Sequence, residues 1–585
     1  MRIKISDYIF QFLESKNINT AFSVSGGAAA HLLESIRQSG INYIPNYHEQ
    51  ASAMSAEGYA RIANKPAIVL VTNGPGSSNA ITGVVGAYQD SIPMFVISGQ
   101  VPTNQTLQPG LRQLGVQELD IIPIVKGITK FAIQVRDANK IKYYLEKAYH
   151  ECTTGRMGPV WLEIPLDIQS TLIETEGLES FVPPILPSTE IDYNYIVDLI
   201  SKSKKPLIIT GNGIHLSNTE EVFKKLIDKL QIPIISTWTS KDLFDWNDKL
   251  FVGNFGLLGE RAANFAVQKA DLLLVLGSRL SIPNIGYNSK LFSTNSTKIM
   301  VDIDTKELNK TTLDIDHKIE CDLKNFIPGL LDNISQSLPS WGDWIKETNS
   351  WKLKYQVFNE SKEPSTKINS FYFIEQLSKY LKDNHVVVTD MGTSYTCTHQ
   401  ALRTNGKNRL YTSSGTCSMG FGLPGAIGTY FGDKSKDVIL ITGDGGLQMN
   451  LQELQTIIQN KIPLKIFVLN NNGYLAISLM QDNLFDSKYI GSTPNSGVSS
   501  PDFCAIGNAY GIKTIRLSNN KELDLQIQSI LNYEGAIVCE IMMPEHQLLI
   551  PRVQSKKDKD GNIISTSLEN MFPFLPDGEL EQIML

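Results

Sequence analysis

Short apolar runs alternate with stretches of helical periodicity along most of the chain. The clearest runs are 67–71, 94–97, 206–210, 272–276 and 386–388. Buried strands separated by helices are typical of α/β units built on parallel sheets. A chain of 585 residues is too long for one hydrophobic core. We therefore predict an α/β protein containing several doubly wound parallel sheets.

Two segments interrupt this alternation and predict where the domains end. Residues 181–187 read Phe-Val-Pro-Pro-Ile-Leu-Pro, a composition that favours a linker. Residues 335–367 are polar with scattered tryptophans, which predicts a second connection. The expected organisation is three parallel-sheet domains and a C-terminal tail, at 1–180, 190–335, 365–550 and 551–585.

Two adjacent strand ends in the third predicted domain carry residues that could bind a metal ion and a phosphate. Gly443-Asp444-Gly445-Gly446 follows the apolar run 438–441, and Asn470-Asn471 follows the run 464–469, with Asn471 placed 27 positions after Asp444. Ligands of open parallel sheets bind at the carboxyl ends of the strands, where glycines let backbone N–H groups approach a phosphate. A carboxylate and an amide oxygen beside a diphosphate suit Mg²⁺. Each motif alone is compatible with an ordinary turn, but the spacing predicts a magnesium–diphosphate site.

The first predicted domain contains a similar unit. The run 68–71 is followed by Asn73-Gly74-Pro75-Gly76 and a predicted helix from Asn79, as 439–442 is followed by the Gly-Asp-Gly-Gly turn and a helix from Leu451. Strand, glycine turn and helix recur in all α/β proteins, so coincidence is one explanation. The alternative is that the first and third domains share a fold.

Composition excludes several classes of function. The net charge is −7, so the chain lacks the basic character of nucleic-acid binders. No apolar run is long enough to span a bilayer, and Asp7 and Glu14 make the first residues an amphipathic helix instead of a signal peptide. The six cysteines are widely spaced, which indicates neither a zinc site nor a disulfide framework and favours the cytoplasm.

The Gly-Asp-Gly and Asn-Asn pattern resembles the signature of thiamine diphosphate (ThDP) enzymes. The resemblance implies that Asp444, Asn471 and the backbone of Gly473 bind Mg²⁺. It also implies that the cofactor contacts Gly26, Gly27, Pro75, Gly392, Thr393, Ser394, Cys417, Met419, Gly443, Gly445, Gly446 and Tyr474. Met419 falls where the family places the bulky residue that bends the cofactor. Acetohydroxyacid synthases have Gln-His where Thr393 and Ser394 stand, so we expect backbone contacts there to persist and side-chain roles to differ.

A thiazolium becomes reactive when a carboxylate helps its aminopyrimidine to remove the C2 proton. Residues 46–61 include His48-Glu49 and Gly58-Tyr59-Ala60-Arg61 and are similar to the family segment that carries this carboxylate. The resemblance assigns the role to Glu49. Without it, Glu49 would be an ordinary first-turn glutamate stabilised by the helix dipole.

The resemblance also bears on the type of reaction. Aldehyde-forming decarboxylases of the family carry an adjacent His-His pair and an acid in the first loop, and this chain has neither, since the loop reads Ser25-Gly26-Gly27-Ala28. Residues 73–76, 98–100 and 116–119 are similar to acetolactate (acetohydroxyacid) synthases, which are carboligases. Those enzymes use a glutamine and a lysine near the substrate, roles that pass to Gln117 and Lys130. Polar loop residues without a role are the alternative for both.

Several departures leave the acceptor open. Val116 stands where these synthases have Phe, Gln481 where they have Trp, and His31 where they have Pro. The chain also continues beyond the third domain. His31 and this tail look more like the ThDP enzymes of branched-sugar biosynthesis, which use a keto-deoxy sugar nucleotide. The tail is predicted either as a lid over a bulky acceptor or as a surface extension.

The second domain resembles the flavin-binding domain of acetohydroxyacid synthases at Gly211, Gly213, Arg279 and Asp302. The family's Arg-Phe-Asp-Asp-Arg run is here Arg279-Leu280-Ser281-Ile282-Pro283. FAD is therefore one candidate ligand, and ADP or an empty domain are the alternatives.

The sequence predicts a ThDP- and Mg²⁺-dependent carboligase that decarboxylates pyruvate and passes the two-carbon unit to a second carbonyl. A sugar-nucleotide acceptor, a simple 2-oxo acid decarboxylase and a non-catalytic subunit remain as alternatives. The resemblance implies a homodimer or homotetramer in which Glu49 faces the partner's Asp444 site.

Overall fold

The computed structural model describes residues 2–106, 110–184, 190–335, 337–360, 366–557, 563–576 and 578–585. They contain three six-stranded sheets in which all neighbouring strands are parallel. The predicted fold class is therefore confirmed. Residues 185–187 of the predicted linker lie outside the described residues. No helix within the described ranges is long and apolar enough to cross a membrane.

The first and third sheets have the same strand order. From edge to edge the first sheet contains Asn42–Pro45, Thr20–Ser23, Ala67–Val71, Met94–Gln100, Pro159–Pro165 and Phe131–Gln134. The third contains Arg409–Tyr411, His385–Thr389, Asp437–Gly443, Lys465–Asn470, Ile537–Met542 and Lys513–Leu517. Numbered along the chain, both read 2-1-3-4-6-5, which confirms the predicted relationship between the two domains.

The middle sheet has a different order. It runs Phe251–Asn254, Ile234–Ser236, Pro206–Thr210, Leu272–Leu276, Thr297–Asp302 and His317–Glu320. This is the 3-2-1-4-5-6 order of dinucleotide-binding folds, in which the ligand lies where the order reverses. That point lies between Pro206–Thr210 and Leu272–Leu276.

Helices cover the faces of these sheets. Those of the first domain are Ile5–Ser15, Ala30–Gln38, Glu49–Ala63, Pro75–Gln89, Ile121–Val125, Ile141–Thr153 and Leu166–Ser170. The middle domain has Tyr193–Lys202, Gly213–Leu216, Glu220–Leu230, Arg261–Lys269, Ile282–Ile285, Thr305–Leu308 and Leu323–Asn333. The third has Ser370–Ser378, Thr393–Ala401, Gly422–Gly432, Asp444–Gln448, Leu454–Asn460, Leu475–Phe485, Phe503–Ala509 and Leu523–Leu531.

Three segments differ from the sequence prediction, namely the first residues, the connection 335–367 and the tail. Arg2–Lys4 forms a short antiparallel pair with Leu172–Glu174, so the first helix starts only at Ile5. Residues 335–367 are not a simple polar linker, because they contain the helices Gly342–Lys354 and Val357–Glu360. Trp344 and Trp351 of the first of these are buried in the core of the middle domain.

The described part of the tail includes a short antiparallel strand pair, Lys556–Lys557 with Ile563–Ile564, and the helix Glu579–Met584. Leu568 and Met571 are buried in the core of the middle domain. Asn264 Nδ2 donates to the Leu568 carbonyl oxygen at 2.9 Å. The second half of the tail is thus an integral part of that domain, and the prediction of the whole tail as a lid is wrong for this half.

Two helices join the first and third domains through backbone-to-backbone contact. Glu49–Ala63 packs on Gly422–Gly432, and both are rich in small residues. A Cβ added to Gly428 would lie 1.9 Å from the Ser55 carbonyl oxygen, and one added to Gly58 would lie 2.2 Å from that of Gly425. Only glycine permits this approach.

We expect Gly428→Ala to lower the melting temperature, because the methyl group would force the two helices apart at a cost of about 1–3 kcal/mol. Gly342→Ala is a matched control, since its Cβ would meet Ser340 Oγ at an ordinary 3.5 Å. Thermal unfolding checks both variants. Equal melting temperatures would show that the helix contact is looser than described.

Candidate active site

The Gly-Asp-Gly turn and the asparagine loop lie side by side at the carboxyl edge of the third sheet. Their strands, Asp437–Gly443 and Lys465–Asn470, are parallel neighbours. Asp444 is buried at the start of a short helix and accepts hydrogen bonds from Ser500 Oγ at 2.6 Å and from the Gly473 N–H at 3.1 Å. Burial raises the pKa of Asp444. Among the described residues no basic side chain pairs with it, so a cation would balance its charge.

Asn471 is the middle one of three consecutive asparagines. The Asn470 amide donates to Glu540 Oε1 at 2.7 Å, and Asn472 Oδ1 accepts from the Ser500 N–H at 2.9 Å. The Asn471 side chain is buried and makes no hydrogen bond to any described residue. Of the three, Asn471 is therefore the one that remains available to a ligand beside Asp444.

A second buried carboxylate, Asp390, organises the loops around this edge. Its Oδ1 accepts from the Met391 and Gly420 N–H groups at 2.8 and 2.9 Å, and its Oδ2 accepts from the Gly422 N–H and Thr442 Oγ1 at 3.2 Å. It thereby joins the Gly392 loop, the segment that carries Met419 and the strand before Asp444. Sequence reasoning missed Asp390, although an aspartate directly after a buried strand was a usable signal.

The predicted diphosphate residues border the same edge. Gly392, with φ +76°, precedes the helix Thr393–Ala401, and a Cβ at Gly392 or Gly443 would meet no atom within 4 Å. Thr393 and Ser394 are buried. Both glycines thus present bare backbone to open space, as a phosphate site requires.

Gly445, Tyr474 and Met419 lie in contact. A Cβ on Gly445 would lie 2.4 Å from the Tyr474 ring and 3.0 Å from Met419 Cε, whereas one on Gly446 would lie 2.7 Å from Asp390 Cγ. Cys417 is exposed in a left-handed conformation with φ +53°. The structure therefore brings four predicted cofactor positions to one edge, namely Gly445, Gly446, Tyr474 and Met419.

Glu49 occupies the corresponding edge of the first sheet. It is the first residue of the helix Glu49–Ala63, and the preceding His48 caps that helix by accepting from the Gln50 N–H at 3.0 Å. Asn79 Nδ2, on the helix that starts at Pro75, donates to Glu49 Oε2 at 3.0 Å. Glu49 is half-buried, so its carboxylate is oriented but still reachable.

Gln117 lies at this same edge. A Cβ on Gly74 would fall 2.2 Å from the Gln117 carbonyl oxygen, and Asn73 Nδ2 donates to the Val116 carbonyl at 3.0 Å. The loop containing Gly26 and Gly27 follows a strand that ends here, and His31 is half-buried in the next helix. Gln117 therefore lies on the Glu49 side of the sheet.

Lys130 does not. Its N–H bonds the Pro159 carbonyl at 2.9 Å where two strands begin, so it lies at the amino edge of the sheet, opposite Glu49. Its Nζ donates to the Thr154 carbonyl at 2.8 Å. Within one chain Lys130 is therefore separated from Gln117 by the length of the strands, and its role near the substrate stays a prediction.

Gln481 is buried on the helix Leu475–Phe485, and its amide is already used. Its Nε2 donates to the Ile490 carbonyl at 2.9 Å, and its Oε1 accepts from Ser492 Oγ at 2.6 Å. The predicted substrate residue thus holds the following loop. The exposed large apolar side chains of that helix are Ile477, Met480, Leu484 and Phe485.

Buried ionic groups join the two cofactor-binding domains. Glu453 accepts from Asn46 Nδ2 and from the Tyr47 N–H, both at 2.9 Å, just before Glu49. Arg61 pairs with Glu57 at 2.7 Å and with Asp90 at 2.5 Å. Asp90 also accepts from the Ser414 N–H at 2.7 Å. Sequence reasoning missed the contacts of Glu453 and Asp90 between domains, because the partners of these two residues lie more than 300 residues away along the chain.

The middle domain carries a cleft at its strand-order reversal. The cleft is lined by residues of all three domains, among them Asp90, Arg156, Trp238, Arg279, Asp302 and Ser414. A Cβ on Gly211 would lie 2.3 Å from the Gly277 carbonyl, and one on Gly213 would lie 2.6 Å from Gly277 Cα. The Arg279 side chain makes no ion pair with any described residue. All four predicted nucleotide residues therefore line one glycine cradle.

Family models for thiamine pyrophosphate (ThDP) enzymes match the chain in three consecutive parts. The N-terminal TPP binding domain matches residues 3–124, the central domain 193–330 and the C-terminal TPP binding domain 390–541. The acetolactate synthase large subunit of Lactococcus lactis is 31% identical over 573 residues, which cover 95% of this chain and 96% of that protein. The chain belongs to the thiamine pyrophosphate enzymes.

Other relatives within this enzyme family are also acetolactate synthases. The isozyme 2 large subunit of Escherichia coli is 27% identical and aligns over 99% of both chains. The mitochondrial catalytic subunit of Saccharomyces cerevisiae is 28% identical over 98% of this chain and 84% of its own length. This thiamine pyrophosphate enzyme is thus similar to acetolactate synthases from end to end.

Beneath the Gln117 loop lies one strongly perturbed acid, Glu163. It is fully buried, and its oxygens accept from Gln100 Nε2 at 2.9 Å and Gln134 Nε2 at 2.7 Å. Gln100 Nε2 also donates to the Leu119 carbonyl at 2.9 Å, so the pair supports the loop. Burial raises the pKa of Glu163 from 4.5 to about 8.

Glu163→Gln should flatten the pH dependence of stability. Between about pH 4.5 and 8 the folded wild-type protein keeps a proton that the unfolded chain has lost, so stability falls as pH rises through this window. Glutamine has no proton to release. Melting temperatures between pH 5 and 8 measure the slope, with the exposed Glu221→Gln as control; an unchanged slope would contradict the assignment.

Proposed function

We propose that this protein is a ThDP- and Mg²⁺-dependent carboligase that decarboxylates pyruvate and transfers the two-carbon unit to a second carbonyl compound. The observation that carries the proposal is the buried, uncompensated carboxylate of Asp444 beside the unpaired Asn471 side chain. A carboxylate, an amide oxygen and the Gly473 carbonyl are oxygen ligands of the kind that Mg²⁺ prefers. The names of the relatives support the choice of reaction.

The chain's own residues have separable tasks in this proposal. Bound ThDP would supply a carbon nucleophile that cleaves 2-oxo acids. Glu49, oriented by Asn79, would hold a proton at the cofactor's pyrimidine nitrogen. Gly392 and Gly443 would donate backbone hydrogen bonds to the diphosphate, and Met419 and Tyr474 would fix its orientation. Gln117, at the same edge as Glu49, would contact the substrate.

The identity of the acceptor is a separate step of the proposal. Gln481 is held by its own loop, and exposed aliphatic residues occupy the accessible face of its helix. This face offers room for an acceptor larger than a short 2-oxo acid. A keto-deoxy sugar nucleotide is therefore the second candidate acceptor.

The active site is proposed to form between two copies of the chain. Exposed apolar residues flank both halves, with Tyr47, Leu114 and Val116 beside Glu49 and Met480 and Ile490 beyond Asp444. Val116 and Ile490 are 81% and 79% exposed, a large amount for side chains of this type. In a two-fold dimer the Glu49 side of one copy would face the Asp444 side of the other, and this arrangement would cover both apolar surfaces.

Proton NMR of the purified protein with ThDP, Mg²⁺ and pyruvate tests the reaction. Accumulation of acetolactate would make pyruvate the acceptor. Slow CO₂ release without acetolactate would favour the keto-sugar acceptor. Absence of CO₂ release with every 2-oxo acid would contradict catalysis and favour a non-catalytic subunit.

Glu49→Ala and Asp444→Ala should each abolish turnover as homodimers. After subunit exchange, a mixed dimer contains one site with neither substitution, so activity should return to a substantial fraction of wild type. The conservative surface variant Glu221→Gln should leave turnover unchanged. Persistently inactive mixtures that contain verified mixed dimers would contradict a site shared between subunits.

FAD is the proposed occupant of the middle-domain cleft. The glycine cradle, the 3-2-1-4-5-6 strand order and the unpaired Arg279 side chain fit a dinucleotide diphosphate. ADP is the alternative ligand for the same features.

Arg279→Ala should weaken FAD binding about tenfold, the effect of about 1.4 kcal/mol. Quenching of flavin fluorescence on titration with protein measures this, and the exposed Arg37→Ala is the control. A wild-type protein that binds ADP but not FAD would replace flavin by ADP. Binding of neither would contradict a nucleotide site.

A further inference from the structure

Arg552 lies where the tail leaves the third domain, and its backbone is fixed on two sides. Its N–H donates to the Phe572 carbonyl at 2.9 Å, and the Phe572 N–H donates back at 2.7 Å. The next residue, Val553, donates to the Leu257 carbonyl of the middle domain at 2.7 Å. The backbone of Arg552 is thus held by hydrogen bonds to the second half of the tail and, through the next residue, to the middle domain.

The guanidinium of Arg552 is half-buried without a counter-charge. Its Nε and Nη2 donate to the neutral Gln554 Oε1 at 3.2 and 3.0 Å, and it lies 6.0 Å from the centre of the Phe572 ring. Burial lowers its pKa, and no nearby carboxylate opposes the shift. No ion pair joins it to any described residue. An arginine in this state has spare donors and an unbalanced charge.

Two candidate sites border this arginine. Gln554 Nε2 donates to Asn483 Oδ1 at 2.7 Å, on the helix Leu475–Phe485 that begins directly after Gly473 and Tyr474. On the other side, the N–H of Leu257 donates to the Pro283 carbonyl at 2.8 Å, and Pro283 lines the middle-domain cleft. Arg552 therefore lies between the exposed face of the metal-site helix and the cleft.

We propose that Arg552 binds the anionic group of the acceptor substrate. This inference rests on the proposed carboligase function and deepens it. A planar guanidinium with free N–H groups pairs with a carboxylate or a phosphate through two parallel hydrogen bonds. The aliphatic face formed by Ile477, Met480 and Leu484 would lie against the uncharged part of the same molecule. The shared chemistry is an anion on an otherwise neutral carbonyl compound.

The test compares acceptors with and without the anion. Arg552→Met keeps an unbranched stem against Phe572 and removes the charge. With pyruvate as donor, KM for 2-oxobutyrate should rise at least tenfold, while KM for propanal, which lacks the carboxylate, should stay within twofold. Arg552→Lys should fall between wild type and Arg552→Met for the anionic acceptor. Arg37→Met is the surface control, and melting temperatures confirm folding.

A second experiment distinguishes an acceptor that carries a diphosphate from one that carries a carboxylate. Calorimetric titration of the holoenzyme with thymidine diphosphate should show binding that Arg552→Met weakens if the acceptor carries a diphosphate. A kinetic effect on 2-oxobutyrate without this calorimetric effect assigns the site to a carboxylate. Equal changes for 2-oxobutyrate and propanal, together with unchanged thymidine diphosphate binding, would overturn the inference.

These outcomes are distinct from failure of the proposed function. If the wild-type protein releases no CO₂ from pyruvate with either acceptor, the carboligase proposal fails. The calorimetric comparison, made with 2-oxobutyrate as well as thymidine diphosphate, still decides Arg552 in that case. Binding lost in Arg552→Met supports an anion site, and binding equal in both proteins, or absent from both, overturns it.

Discussion

The arrangement depends first on the contact between the helices Glu49–Ala63 and Gly422–Gly432. Their backbones approach so closely that Gly58 and Gly428 leave no room for a methyl group. Ser55 Oγ donates to the Pro424 carbonyl at 3.0 Å within the same contact. Since Glu49 begins the first helix and the segment carrying Met419 leads into the second, this contact fixes the two cofactor-binding domains of one chain relative to each other.

The buried carboxylates have two different roles. Asp390, Glu453 and Asp90 are satisfied by backbone N–H groups and neutral or basic side chains, and each joins segments that are remote in the sequence. Asp444 differs in its neighbour, because the Asn471 side chain at the adjacent strand end is buried and unpaired among the described residues. Burying a charge without a counter-charge is costly. The cost is balanced when a cation binds, so the same desolvation that destabilises the isolated site increases its affinity for the metal.

How much could be read from the sequence depended on the distance between interacting residues. Asp444 and Asn471 were predictable because buried strands place both at neighbouring strand ends, and the repeated strand–turn–helix unit revealed the fold shared by two domains. The position of Lys130 at the opposite edge of the sheet from Gln117 could not be predicted, since a resemblance in sequence does not show at which edge a side chain lies. Asp390 carried a local signal, but Glu453 lies 407 positions from its partner Asn46 and carried none. The tail could not be assigned to a core, because Leu568 and Met571 contact a helix about 300 residues earlier.

The same distinction explains why the donor chemistry is easier to infer than the acceptor. Activation of the cofactor would use groups that lie within compact motifs at strand ends, and these motifs resemble those of the family. The acceptor would be recognised by a loop of the first domain, a helix of the third and the tail, and these residues form no single compact motif. Arg552 brings an uncompensated charge to this junction. An acceptor that balances this charge fits better than a neutral one, which makes its anionic group the physical property most worth establishing.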